Sequence, residues 1–239
     1  MPDPALLPPA PTTDLTTDLM TGPTSPASTG AVVLMLHGGA PRGLDEVGRR
    51  SASLWRTTRM RAVLEPRLAA EGVATYLLRY AVRGWNEGVA AEPSPVPDAR
   101  WALAGLAREH PGTPVVLLGH SMGGRTAVRV ADHPAVVGVV GLAPWLEPGD
   151  PVAALAGRHL LLGHGSRDRI TSARATRAYV ERARPVTASA EFADLGRLGH
   201  YMLARQETWN RFALESVLAV LDRAGVRRGR DARDRSTQE

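Results

Sequence analysis

The chain of 239 residues contains no cysteine. A disulfide framework, a thiolate metal site and a cysteine nucleophile are therefore excluded. Lysine is also missing: all 29 basic residues are arginine, set against 24 acids for a net charge of +5. This is a composition bias spread along the chain. The one dense cluster, Arg223, Arg227, Arg228, Arg230, Arg233 and Arg235, is interleaved with acids in a polar tail. A nucleic-acid footprint should form a stripe on a folded face, so nucleic acid is not an expected partner. No apolar run approaches the roughly 18 residues of a membrane span, and no membrane partner is expected. The first residues, MPDPALLPPAPTTDLTTDLM, lack the basic start and sustained apolar core of a secretory leader. The expectation is a cytoplasmic protein.

The length and a hydrophobic content of 44% suit a single globular domain. Residues 1–29 are rich in Pro, Thr, Ser and Asp, which predicts a flexible arm. Residues 225–239 read as a disordered polar tail, leaving 30–224 as the folded domain. Within it, short apolar runs alternate with helical patterns. Strands are expected at 31–36, 73–80, 114–118, 136–142, 158–162 and 187–195. Helices are expected over about 44–70 (with a break or kink at Pro66), from an Asp98 N-cap to about His110, over 125–131, over 172–184, and over 202–224 with a break near its start. The pattern predicts an α/β fold: a mostly parallel sheet of about six strands with helices on both faces.

Val115-Val116-Leu117-Leu118 leads into Gly119-His120-Ser121-Met122-Gly123-Gly124, and a helix follows. Strand, G-x-S-x-G, helix is the arrangement that lifts a serine hydroxyl above a sheet edge on a strained turn. Ligands on such sheets sit beyond the carboxyl ends of the strands. His37, Ser121, Trp145, Asp168 and His200 all follow predicted strands, so they converge on one edge.

A serine hydroxyl needs a base, and the base needs an orienting carboxylate. Asp168, in the Gly-rich stretch Gly163-His164-Gly165-Ser166-Arg167-Asp168, is the chosen acid, with Asp194 and Asp150 in reserve. His200, in Leu198-Gly199-His200, is the chosen base. His37 and His120 read as structural, His164 as either part of the acid loop or packed inward, and His110, His133 and His159 as surface or helix-end residues. The oxyanion donors are the N–H of Met122, next to the nucleophile, and that of Gly39 in the loop after the first strand.

Four motifs together resemble the α/β-hydrolase superfamily: His37-Gly38-Gly39, the Ser121 elbow, the Asp168 loop and Leu198-Gly199-His200. The resemblance spans most of residues 31–222. It implies a hydrolase acting through an acyl-enzyme on esters, thioesters or amides, with Ser121 as nucleophile, His200 as base and acid, Asp168 as orienter, and no metal or organic cofactor. Two departures stand out. The first two strands usual in the family have no clear counterpart, and Pro144 to Gly157 leaves room for a short helix at most where a cap would enter. The expected partner is a small-molecule acyl substrate and the leading reading a carboxylester hydrolase. Acyl transfer or amide hydrolysis by the same triad, and ligand binding without catalysis, are the alternatives. The loop 81–97 is a candidate for a partial wall, and whether it covers the site is left open by the sequence. Trp85 and Trp145 are open to two readings, substrate wall or core packing.

Overall fold

The computed structural model describes residues 20–22, 29–48 and 50–226. Most of the N-terminal arm, and the polar tail beyond residue 226 with every arginine of the cluster except Arg223, lie outside these residues. Among the described residues no helix is long and apolar enough to cross a membrane.

One sheet organises the chain. Its strands are β1 (Met20–Thr21), β2 (Ala31–Leu36), β3 (Val73–Leu78), β4 (Val115–His120), β5 (Val136–Leu142), β6 (His159–His164) and β7 (Ser189–Asp194), in the spatial order β1-β3-β2-β4-β5-β6-β7. All pairings are parallel except β1 on β3. The sheet therefore has seven strands, not about six. The extra strand is Met20–Thr21, two residues inside the stretch expected to be a flexible arm. A pair that short carries no periodicity, so sequence pattern could not reveal it.

Helices α1 (Ala52–Ala70) and α5 (Gln206–Arg223) cover one face; α2 (Pro95–Glu109), α3 (Met122–Arg129) and α4 (Ala173–Ala183) cover the other. Strand β2 shows why its sequence is apolar without alternation. Val32, Leu34 and Leu36 enter the core beneath α2 and α3, while Ala31, Val33 and Met35 enter the core beneath α1 and α5. A strand buried on both faces has no polar side to show.

Several boundaries differ from expectation. Helix α1 begins at Ala52, with Ser51 accepting the Leu54 N–H at 3.3 Å. The preceding stretch is pulled out of the helix by pairing with the next loop: Arg83 N–H donates to the Asp45 carbonyl at 3.0 Å, and Glu46 bridges Val82. Pro66 sits inside α1 without ending it. Helix α2 starts at Pro95, where a fixed φ suits the first turn. Asp98 is thus inside the helix, and it accepts the Ala81 N–H at 2.8 Å instead of capping. Helix α5 starts at Gln206 because Met202 and Arg205 have φ of 55° and 51°, which no α-helix can include. Between β5 and β6 the chain forms only a 3₁₀ turn at Ala153–Leu155, so no cap domain enters there.

Candidate active site

Strand β4 ends at His120 and α3 begins at Met122, so Ser121 alone makes the turn. Its φ of 54° and ψ of −117° are strained for a residue with a Cβ. The turn is tight because the backbones touch. A Cβ on Gly119 would lie 2.4 Å from the Gly123 carbonyl, and one on Gly123 would lie 2.1 Å from the Leu36 carbonyl oxygen. These glycines are there because nothing larger fits.

Sheet topology brings the loops after β6 and β7 to the same edge. His200 Nε2 lies 3.0 Å from Ser121 Oγ, and His200 Nδ1 lies 2.8 Å from Asp168 Oδ2. A carboxylate only accepts, so Nδ1 carries the proton and Nε2 is left to accept from the serine hydroxyl. All three side chains are buried.

The Asp168 carboxylate is saturated with donors. Oδ1 accepts the backbone N–H groups of Ile170 (2.8 Å) and Thr171 (2.9 Å). Oδ2 accepts Thr171 Oγ1 at 2.9 Å and His164 Nε2 at 3.2 Å in addition to His200. Burial alone would raise the carboxyl, but hydrogen bonds from His164, His200 and the two backbone amides outweigh it and hold it well below the usual carboxylate range. Asp168 therefore stays ionised beside His200.

Two more histidines fix the surrounding loops. His120 Nε2 donates to the His200 carbonyl at 3.0 Å, tying the base loop to the elbow. His37 Nδ1 donates to the Gly38 carbonyl at 2.6 Å, while its Nε2 accepts the Tyr80 N–H at 3.3 Å. Burial pushes His37 down to about 4 and His120 down to about 3, the nearby His200 adding to the latter. Both are neutral at pH 7.

His37 thus shapes the loop that carries Gly39. A Cβ on Gly39 would lie 2.3 Å from Met122 Cε and 2.6 Å from the Arg83 carbonyl oxygen, so the glycine permits this loop to press on the elbow. Among the described residues, the Gly39 and Met122 N–H groups donate to no other group. Gly39 lines a cavity of about 470 Å³, together with His37, Gly38, Ala40, Asp45 to Gly48, Arg50 to Ser53 and Arg83.

The tryptophans lie together. Trp85 is 1% exposed and meets the half-buried Trp145 edge to face at 6.1 Å between centroids. The Arg125 guanidinium packs on both rings, at 4.4 and 4.6 Å. Trp85 is core in this arrangement. The reserve acids are occupied elsewhere. Asp150 is fully buried against Arg125 and Arg129, at 2.9 and 2.8 Å, and Asp194 accepts the Gly196 N–H in a turn.

The sequence alone does not single out Thr171 and Asn86, and it leaves His164 open between a place in the acid loop and inward packing. His164 and Thr171 hold Asp168, and Asn86 pins the 81–94 loop. The Asn86 side chain accepts the Gly43 N–H at 2.9 Å and donates to the Gly43 carbonyl at 3.0 Å. His164 sits in the quoted Asp168 motif, four residues before the acid, and that spacing was the available signal. Among the described residues, no group of three or more His, Cys, Asp or Glu side chains is placed to hold a metal ion.

The profile of the Alpha/beta hydrolase family matches residues 33–236, and the chain belongs to that family. No curated protein matches it. Solved structures share the fold at low identity. An alpha-beta serine hydrolase homologue from Coxiella burnetii is 16% identical, with a TM-score of 0.60 over 82% of this chain and 89% of its own. A serine hydrolase without lid from Xanthomonas campestris is 13% identical, with a TM-score of 0.56 over 85% of each chain. The butyrate-bound esterase Est2 from Thermogutta terrifontis is 16% identical, with a TM-score of 0.62 over 87% of this chain and 88% of its own.

Proposed function

We propose that this protein is a serine hydrolase that cleaves carboxylic esters through an acyl-enzyme. The observation that carries the reading is the unbroken relay from Ser121 Oγ through His200 to Asp168, built on a strained serine. Such strain is kept only where the surroundings over-determine it, and it clusters at reacting groups. Family membership and the esterases among the similar folds support hydrolysis as the reaction class.

In the first half-reaction Ser121 Oγ attacks the ester carbonyl carbon and His200 Nε2 takes its proton. The imidazolium is stabilised by the Asp168 carboxylate, which its other donors keep ionised. Negative charge on the carbonyl oxygen meets the free N–H groups of Met122 and Gly39; losing one such donor costs roughly 3–4 kcal/mol. Collapse breaks the C–O bond, and His200 Nε2–H gives its proton to the departing alcohol. Water then attacks the acyl-enzyme, His200 takes its proton, and the acid leaves with Ser121 restored.

The test is intact mass after a fluorophosphonate probe, followed by hydrolysis of 4-nitrophenyl butyrate. One adduct is expected on the wild type, none on Ser121→Ala, and far slower labelling of His200→Ala. A wild type that is neither labelled nor active, or a Ser121→Ala variant as active as wild type, overturns the reading.

A further inference from the structure

Arg56 is a cation without an acid. It lies on the second turn of α1, half-buried, and among the described residues it forms no ion pair. Its Nη2 lies 3.5 Å from Ser53 Oγ, at the limit of a hydrogen bond, and its buried Nε has no hydrogen-bond partner. Its guanidinium stacks on the Tyr201 ring at 5.1 Å. Burial lowers its pKa, and only the Tyr201 hydroxyl works the other way. Arg125, Arg129 and Arg61 each face a carboxylate. Charges taken out of water are normally paired; the half-buried Arg158 also lacks an acid among the described residues, but its Nε donates to the Ala131 carbonyl at 3.1 Å, whereas the Arg56 Nε has no partner.

Its neighbours bracket the reaction centre from three sides. Ser53 lines the cavity that contains Gly38 and Gly39. Tyr201 follows the base in sequence, its ring edge-on to His200 at 5.5 Å. His120 precedes the nucleophile and feels the Arg56 charge. The guanidinium thus lies between Ser53, on the rim of the oxyanion-loop cavity, and Tyr201, next to His200, and it lines a neighbouring cavity with Trp55, Met202 and Leu203. Of the acids lining the cavity, Asp45 is engaged by Arg83 at 3.5 Å. Trp55 and Leu203 are 51% and 57% exposed beside Arg56 and offer a surface to an alkyl chain.

We propose that Arg56 recognises the substrate, and that the substrate is an ester carrying a carboxylate that this guanidinium binds while the scissile carbonyl lies at Ser121. The inference rests on the ester-hydrolase reading above. Guanidinium suits the task because its planar fork pairs with both carboxylate oxygens. The carboxylate belongs to either the acyl or the alcohol part of the ester, and pairs of an anionic and a neutral ester of similar length separate the two.

The experiment measures binding to the full chain with Ser121→Ala, by protein-observed NMR titration, so that it does not depend on turnover. Monomethyl glutarate is compared with methyl pentanoate for the acyl side, and the glycolate ester of butyrate with propyl butyrate for the alcohol side. In at least one pair the anion is expected to bind about tenfold tighter, as hydrogen bonds to charged groups imply. Adding Arg56→Gln should abolish that ratio. Arg56→Lys should keep part of it, and Arg108→Gln, in the last turn of α2 on the other face of the sheet, should leave it intact. Equal affinity within both pairs, or a preference that survives Arg56→Gln, overturns the proposal. A wild type that fails to hydrolyse esters would instead defeat the reading beneath it, and the two failures are read in separate assays.

Discussion

Substituting Gly123→Ala tests how closely the elbow and the oxyanion loop depend on one another. The added Cβ would lie 2.1 Å from the Leu36 oxygen, 2.5 Å from the Leu36 carbonyl carbon and 2.7 Å from the His37 oxygen. Real Cβ contacts are essentially never under 3.0 Å, and all three atoms are backbone, so no rotamer relieves the clash. Helix α3 and the end of β2 must separate by about 1 Å. Leu36 and His37 lead into Gly39, and Met122 opens α3, so the two proposed oxyanion donors move apart with them. A misplacement of about 1 Å costs on the order of 100-fold in rate. Stability should suffer less. Overpacking costs about 1–3 kcal/mol, while replacing a helical glycine by alanine returns up to about 1 kcal/mol. The melting temperature should therefore fall by a few degrees, at about 2–4 °C per kcal/mol. The assay pairs kcat on 4-nitrophenyl butyrate with calorimetry. Gly149→Ala is the control, since a Cβ there meets nothing within 4 Å. A Gly123→Ala enzyme with wild-type kcat, or one no more impaired than Gly149→Ala, would refute the reasoning.

Ser121→Gly should be inactive yet more stable than Ser121→Ala by about 1 kcal/mol, since relief of roughly 1–3 kcal/mol of strain outweighs the flexibility cost of glycine; equal stabilities in denaturant titrations would count against a strained nucleophile. Asp150→Asn should cost about 3–5 kcal/mol, because it leaves the Arg125 and Arg129 guanidinium groups without their shared buried acid; a loss under about 1 kcal/mol would show the cluster to be dispensable. Stability should fall as the pH drops below 6.5. His37 and His120 take up protons near 6.5 when unfolded but only at about 4 and about 3 when folded, so acid favours the unfolded chain. Asp98 acts the other way: burial raises it to about 6 in the folded state, so the native protein binds that proton first as the pH falls. Asp98→Asn should therefore steepen the acid loss between pH 6 and 4 in guanidinium unfolding curves, and an unchanged slope would contradict the assignment.

The parallel sheet was legible because its strands are buried on both faces. Runs such as Ala31–Leu36 and Val115–Leu118 can be little else when glycine and helical periodicity follow. The convergence of Ser121, Asp168 and His200 was legible for a related reason, since residues placed just after parallel strands must share an edge. Hidden features depend on partners distant in sequence. Residues 45–47 fall in a stretch with helical spacing but pair with residues 81–83 of the next loop, and no local pattern records that pairing. Asp98 has the chemistry of an N-cap, yet Pro95 starts the helix earlier and Ala81 claims the carboxylate. Met20–Thr21 becomes a strand only because the β3 edge is there to receive it.

The tryptophans carry the comparison one step further. As sequence, Trp85 and Trp145 are aromatic residues in loops flanking a nucleophile, and substrate contact and core packing are equally available to them. Arg125 decides the outcome. It projects from the first turn of α3, one turn after Ser121, and lies against both rings while Asp150 holds its Nε at 2.9 Å. Glu87, in the Trp85 loop, pairs with the same guanidinium at 3.5 Å. The Trp145 backbone N–H also donates to the Ser121 carbonyl at 3.1 Å. Loops 81–94 and 143–151 are therefore tied to the helix that follows Ser121, through one arginine and its acids. Both tryptophans are thereby committed to holding these loops together, which is why the proposed discrimination between substrates is assigned to Arg56, a guanidinium that no acid among the described residues engages.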